Sequence, residues 1–337
     1  MSLSDDIKAE DEITELRKAL KRSQQAEYRA KRANEIIVEA VYTAARDAAV
    51  STGRSLPANT KMPKDTRKQK GEIAFIHATD WQLGKKTAGY GIETCDKRIR
   101  QFVDKIFELT TIQRTHHPVR EAVLVFGGDM VEGITIFPGQ AWEVEAHLFE
   151  QLFETVRIEE YMVRSIAQYF DKVHVICEYG NHGRLGKKGE LPANDNIDAI
   201  SYRITQDRTK DLRNVTWQLS ADWYQIAEIG SYRALIVHGD EIKSFGGGTP
   251  AFGILRKCNA WATGVVPEFK DVYMGHFHTP MTLVMANGGR IFVSGSPESE
   301  SVYAAEFVAA KGLPSQRLHF IDPEKGRVTA EYTVWLD

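Results

Sequence analysis

Five short segments carry side chains able to hold a divalent cation. They are Asp80 and Gln82 in HATDWQLG, Asp129 and Glu132 in GGDMVEG, Asn181 and His182 in YGNHGR, His238 in VHGDE, and His276 and His278 in MGHFH. Carboxylate, imidazole and amide oxygen suit hard or borderline ions such as Mn, Mg, Fe and Zn. No cysteine lies in any of these segments, which argues against a thiolate site. Two such ions, about 3.5–4 Å apart and sharing one carboxylate, can activate water and hold a phosphate. Each segment alone is weak: GD is a common turn, and GHFH often holds ordinary histidines. The joint occurrence of all five, in one order, points to a single metal-dependent site.

The elements that must position these residues are legible around them. Short apolar, β-branched runs precede the segments at Ile73–His77, Ala122–Phe126, Val173–Cys177, Ala234–Val237 and Val272–Met274. Helical patterns lie between the early runs at 95–114, 143–170 and 195–212, and another is expected at 251–261. Further strands are expected at 215–219, 223–229, 281–285, 290–293, 316–321 and 327–335. This α/β alternation places ligands at the carboxyl ends of strands, so five loops can converge on one rim. Residues 1–50 carry apolar positions at helical spacing (Ile13, Leu16, Leu20, Ile37 and Val41 among them) and read as a helical arm. The arm either packs on its own domain or joins two copies as a homo-oligomer. Residues 51–70, with two prolines and several basic residues, read as a linker, and 71–337 as the main domain.

Taken together, Asp-x-(His), Gly-Asp-x-x-(Asp/Glu), Gly-Asn-His, His and Gly-His-x-His resemble the calcineurin-like metallophosphoesterase family over about residues 72–300. The resemblance implies an α/β fold, a four-layer α/β/β/α sandwich with a dimetal centre at its rim. It implies that Asp129 bridges the ions, that Asp80, Gln82 and His278 serve the first, and that Asn181, His238 and His276 serve the second. It makes His182 the acid that protonates the leaving oxygen or a donor to the phosphate, oriented by Glu132. An imidazole suits either role because it titrates near neutrality. The chain departs from the pattern at Gln82, where the family has histidine, and at Gly183, where it commonly has Asp or Glu. An amide oxygen is a poorer donor than imidazole for Zn or Fe, so the expectation is two divalent ions with Mn favoured and the first held weakly. Arg184 is a candidate for holding a phosphate oxygen through its planar fork.

The segments DWQLGK and FVSGSPESES are similar to the opening and a later strand of the SbcD-type DNA-repair exonuclease branch. Lys85, Lys86, Lys187 and Lys188 add positive charge near the motifs, of use to a phosphate backbone. The chain ends at Asp337 with little room for ATPase-binding helices, so it is most similar to compact, phage-type members. DNA is the expected substrate and a nuclease the expected activity. A phosphomonoesterase acting on protein or nucleotide, and a scaffold on the same frame, stand as alternatives, the latter because of Gln82. Residues 244–250 (SFGGGTP) read as a loop, or as a substrate flap. Trp81, between two expected ligands, is the one tryptophan considered for base stacking.

The composition sets outer bounds. The 337 residues are 42% hydrophobic and 26% charged, with a formal net charge of −3. This is enough for a real core, and it argues against binding nucleic acid by bulk charge. Three scattered cysteines form no CxxC pair and fit a reducing compartment. No signal-type or membrane-spanning apolar run is present, so the expected setting is the cytoplasm, away from membranes.

Overall fold

A computed structural model describes residues 15–25, 32, 43, 65–67, 70–137, 139–186, 188–192, 194–220, 222–243, 250–298 and 313–337. The chain divides into two units, Met1–Ser51 and Thr52–Asp337. Of the first, residues 15–25, 32 and 43 are helical and exposed. The rest of the expected arm, most of the expected linker and the 244–249 part of the glycine-rich loop lie outside the described residues. Asp65 and Arg67, at the end of that linker, already touch the main unit. Arg67 donates to the carbonyls of Arg114 and His117, and Val119 N–H donates to Asp65.

Eleven strands build two sheets among the described residues. The first contains β1 (Glu72–Ala78), β2 (Val119–Phe126), β3 (Lys172–Cys177), β4 (Val215–Leu219), β10 (Ser315–Asp322) and β11 (Arg327–Trp335). Its order is β11-β10-β1-β2-β3-β4, with β1 to β4 parallel and the β10–β11 hairpin antiparallel at one edge. The second contains β5 (Tyr224–Ile229), β6 (Tyr232–Val237), β7 (Asp271–Met274), β8 (Met281–Val284) and β9 (Arg290–Val293), in the order β5-β6-β7-β9-β8. Here β6, β7 and β9 run parallel.

The apolar runs are continuous rather than alternating because both faces of the central strands are covered. In β1 to β3, Phe75, Val123, Val125 and Ile176 face the second sheet and meet Ala234, Ile236, Tyr273 and Phe292. Their neighbours Ala74, Ile76, Leu124, Phe126 and Val175 face the other way, onto α1 (Ile92–Gln113) and α2 (Leu148–Tyr169). On the far side of the second sheet, α4 (Ala251–Ala260) packs Ile254 and Cys258 against Leu235, Val272 and Ile291. Burying one such side chain contributes about 1.5–3 kcal/mol. The result is the expected four-layer α/β/β/α sandwich. α3 (Ile197–Arg208) begins at Asn196, whose side chain accepts from Asp198 N–H at 2.8 Å. No helix among the described residues is long and apolar enough to cross a membrane. The three cysteines are free and buried.

Trp81 is a core residue. It is fully buried and meets Phe126 edge-on at 5.8 Å, so it cannot stack on a base. Its place between two rim residues reflects the strand's turn into the loop, with alternate side chains sent inward.

Candidate metal centre

The loops after β1, β2, β3, β6 and β7 bring all the expected ligands to one rim, at the carboxyl ends of strands from both sheets. Main-chain bonds zip the first two loops together: Asp80 N–H donates to Gly128 O at 2.9 Å, Gln82 N–H to Asp129 O at 2.9 Å, and Glu132 N–H to Leu83 O at 2.9 Å. The carboxylates then tie the other loops in. Asp129 Oδ1 accepts from His182 N–H at 2.7 Å, and Asp80 Oδ1 from His276 N–H at 2.9 Å.

The backbone marks the same residues. Asp80 (φ 55°), Gln82 (φ 43°), Asp129 (φ 52°), His276 (φ 66°) and His278 (φ 54°) are the only non-glycine residues with positive φ among those described. That conformation costs a side-chain-bearing residue of order 1–3 kcal/mol and persists where the surroundings impose it. All five are expected ligands.

Their donor atoms fit a divalent cation. One ligand atom each from Asp129, His238 and His276 lies within 4.8 Å of the others. His238 Nδ1–H donates to Gly127 O at 2.9 Å, which leaves Nε2 as the ligating nitrogen. That Nε2 lies 3.0 Å from Asp129 Oδ2, at ion-pair distance. Asn181 Oδ1 is buried without a hydrogen-bond partner. Buried polar atoms are almost always satisfied, and a cation held by the Asn181 loop would satisfy it. The electrostatics agree. Burial opposes charge on both Asp129 and His238. Even so, Asp129 is held well below the usual carboxylate range by His238 and His182, and His238 is pushed well above the usual imidazole range by Asp129. The pocket thus favours positive charge. His276 is pushed down to about 4, first by burial and then by His238, so it is neutral and ready to ligate.

His182 stands beside this group. Its Nδ1–H donates to the Glu132 main-chain carbonyl at 2.8 Å, with the Glu132 carboxylate at 3.3 Å. Burial disfavours its charge, but Asp129 and Glu132 outweigh this and push it up to about 9. Glu132 itself is held by Gln140 Nε2 at 2.9 Å. The Arg184 guanidinium is paired with Asp240, which also takes Lys188 Nζ at 2.8 Å. Gly183 admits no side chain, because a Cβ there would collide with Asn196 Oδ1.

Two residues of this site are absent from the set of candidates read from the sequence. Asp198 accepts the N–H groups of Asp129 (2.9 Å), Met130 (3.1 Å), Val131 (3.3 Å) and Gly180 (3.0 Å), locking the loops of Asp129 and Asn181 together. In sequence it reads only as an acidic residue in the first turn of a helix. Glu298, buried after β9, reaches His278 Nδ1 at 3.2 Å and Lys85 Nζ at 2.8 Å. The serine- and glutamate-rich run around it carries no metal spacing.

No family model matches the chain, and no curated protein matches it. Among solved structures it is similar to Vps29 of Entamoeba histolytica complexed with Zn2+, at 12% identity over 78% of this chain and 99% of that one, TM-score 0.34. It is similar to an archaeal phosphodiesterase at 14% identity, over 77% and 99%, TM-score 0.36. It is also similar to a predicted phosphoesterase of Streptococcus pneumoniae at 12% identity, over 78% and 98%, TM-score 0.32. These likenesses are low, and the fold class stands on the chain's own sheet order and layering.

Proposed function

We propose that this chain is a calcineurin-like, divalent-metal-dependent phosphodiesterase and that it cleaves DNA. The observation that carries the reading is the meeting of Asp129, His238 and His276, with one ligand atom of each within 4.8 Å of the others, and the buried Asn181 Oδ1 left without a hydrogen-bond partner on the neighbouring loop. Ions bound there, Mn above others, would neutralise phosphate charge and acidify water. His182 would hold a proton for the leaving oxygen. The carbonyl of Glu132 fixes its Nδ1, so Nε2 is the atom turned to substrate. Glu132 would orient that ring and Asp129 keep it charged. Arg184 would reach a phosphate only by leaving Asp240, so it is given no part in the reaction. The nuclease reading within this class rests on the DWQLGK segment and on the lysines flanking the site. The reading also keeps residues 1–50 as an arm that joins copies, and the chain as one domain beyond the linker.

The test is hydrolysis of bis-p-nitrophenyl phosphate and labelled linear DNA with added Mn. His182→Ala and Asp129→Asn should each lower the rate at least about a hundredfold. Diester turnover without DNA cleavage would discard the nuclease and keep the phosphodiesterase. Turnover of monoesters alone would favour the phosphomonoesterase. No turnover in the wild type would leave a scaffold.

A further inference from the structure

The Gln82 side chain faces the site with its nitrogen rather than its oxygen. Lys85 Nζ lies 3.1 Å from Gln82 Oε1. An ammonium only donates hydrogen bonds, so the atom it meets has to be the amide oxygen. The amide nitrogen is therefore the end turned inward, 3.2 Å from His278 Nε2 and 3.4 Å from His182 Nε2. An NH2 group cannot ligate a cation.

Lys85 is not a loose surface cation. Its ammonium lies 2.8 Å from Glu298 Oε1, and the Glu298 side chain is 2% exposed against 21% for Lys85. A buried carboxylate needs a paired charge. Turning the Gln82 oxygen inward would take one acceptor from Lys85 and leave the Lys85–Glu298 pair in place. The other carboxylate oxygen, Glu298 Oε2, lies 3.2 Å from His278 Nδ1. Glu298 thus joins Lys85 to a ligand of the first ion.

The two halves of the centre are correspondingly unequal. Asp129, His238 and His276 form the single ligand group of three among the described residues, and Asn181, beside the Asp129 loop, keeps a buried Oδ1 without a hydrogen-bond partner. Asp80 and His278 make no such group with a third acidic, histidine or cysteine residue there. Asp80 Oδ2 is also engaged by Thr79 Oγ1 at 2.8 Å.

We propose that Lys85, clamped by Glu298, is a built-in cation at the first-ion side of the centre. The protein then holds one divalent ion firmly, on Asp129, Asn181, His238 and His276, and a second only loosely, on Asp80 and His278. This rests on the metal-dependent reading of the site and departs from a symmetric pair of ions. The fixed ammonium supplies positive charge to a bound phosphate where a second tightly held ion would otherwise do so.

The experiment is Mn2+ titration of the metal-stripped full chain, followed by calorimetry and by electron paramagnetic resonance. Wild type should bind one ion tightly and a second at least tenfold more weakly, with an uncoupled spectrum at one equivalent. The double variant Gln82→His with Lys85→Met should tighten the second ion at least tenfold and give a spin-coupled pair. Unchanged affinity for the tightly held ion in that variant shows that it is folded. Two ions of equal affinity in the wild type would overturn the proposal and leave the phosphodiesterase reading intact. So would a double variant that keeps the tightly held ion and gains nothing on Asp80 and His278. Binding of no ion at all would instead sink the metal-dependent reading itself.

Discussion

Asp198 touches no expected ligand side chain, yet it takes four main-chain N–H groups from two ligand-bearing loops. Burial and the nearby Asp129 push its carboxyl up to about 6, so at pH 7 it is ionised and accepts at both oxygens. Removing it leaves four N–H groups without a partner, each a donor to a charged acceptor worth about 1.5–3 kcal/mol. Asp198→Ala should therefore lower stability by about 3 kcal/mol or more and weaken Mn binding along with it. Urea unfolding and metal titration check this, and wild-type metal affinity in the variant would refute the positioning role. At this scale the candidate ligands were legible in the sequence, because ligand chemistry belongs to residue types. The partners that aim them were not. Asp198, Glu298 and Asp240 are ordinary acidic residues until the fold sets each beside its target.

The strand-end loops show why the ligand segments are rich in glycine. Gly180 lies against Asp129, where a Cβ would collide with Asp129 Oδ1 and Asp129 N. Gly128 has a φ of 88° and would meet Gly180 in the same way. Close approach of two loops, rather than flexibility, is what these glycines allow. Gly180→Ala should spare the sheets and disturb the ligands. We expect a wild-type far-ultraviolet circular dichroism spectrum with Mn affinity at least tenfold lower; unchanged affinity would mean that the loops are not closely fitted. The strands and helices themselves were readable from apolar runs and helical spacing, since each pattern is local. Their bounds follow the expected ones closely, as in β1 at Glu72–Ala78 and α1 at Ile92–Gln113. Strand order was not readable. That β10 pairs with β1 across most of the chain depends on which edges meet in three dimensions.

Between the two sheets lie histidines that the expected ligand set leaves out. His77 is fully buried, with Nδ1 2.7 Å from Ser294 Oγ, and His319 Nδ1 lies 2.8 Å from Tyr273 Oη. Burial, with Arg317 adding to it against the opposing charge of Asp80, pushes His77 down to about 3. An exposed imidazole in the unfolded chain titrates near 6.5. Between those two values the unfolded state binds more protons, so stability is full above pH 6.5 and is lost as pH falls toward 3. The steepest loss from one such group is about 1.4 kcal/mol per pH unit. His319, also lowered by burial and then by Arg317, acts in the same direction. Urea unfolding in EDTA between pH 4 and 7 should show this slope, and His77→Leu should flatten it, whatever that change does to absolute stability. An unchanged slope would locate acid sensitivity elsewhere.

The sequence by itself determined the alternation of strands and helices and the set of candidate ligands. These are carried by residue type and by spacing within a few positions. Only the tertiary structure decided how the ligands are used. It buried Trp81 in the core, gave Arg184 to Asp240, set Asp198 beneath two loops and turned the Gln82 oxygen to Lys85. Each of these outcomes depends on which distant charge or apolar surface lies within a few ångströms, and that separation is a property of the packed sheets, absent from any local pattern.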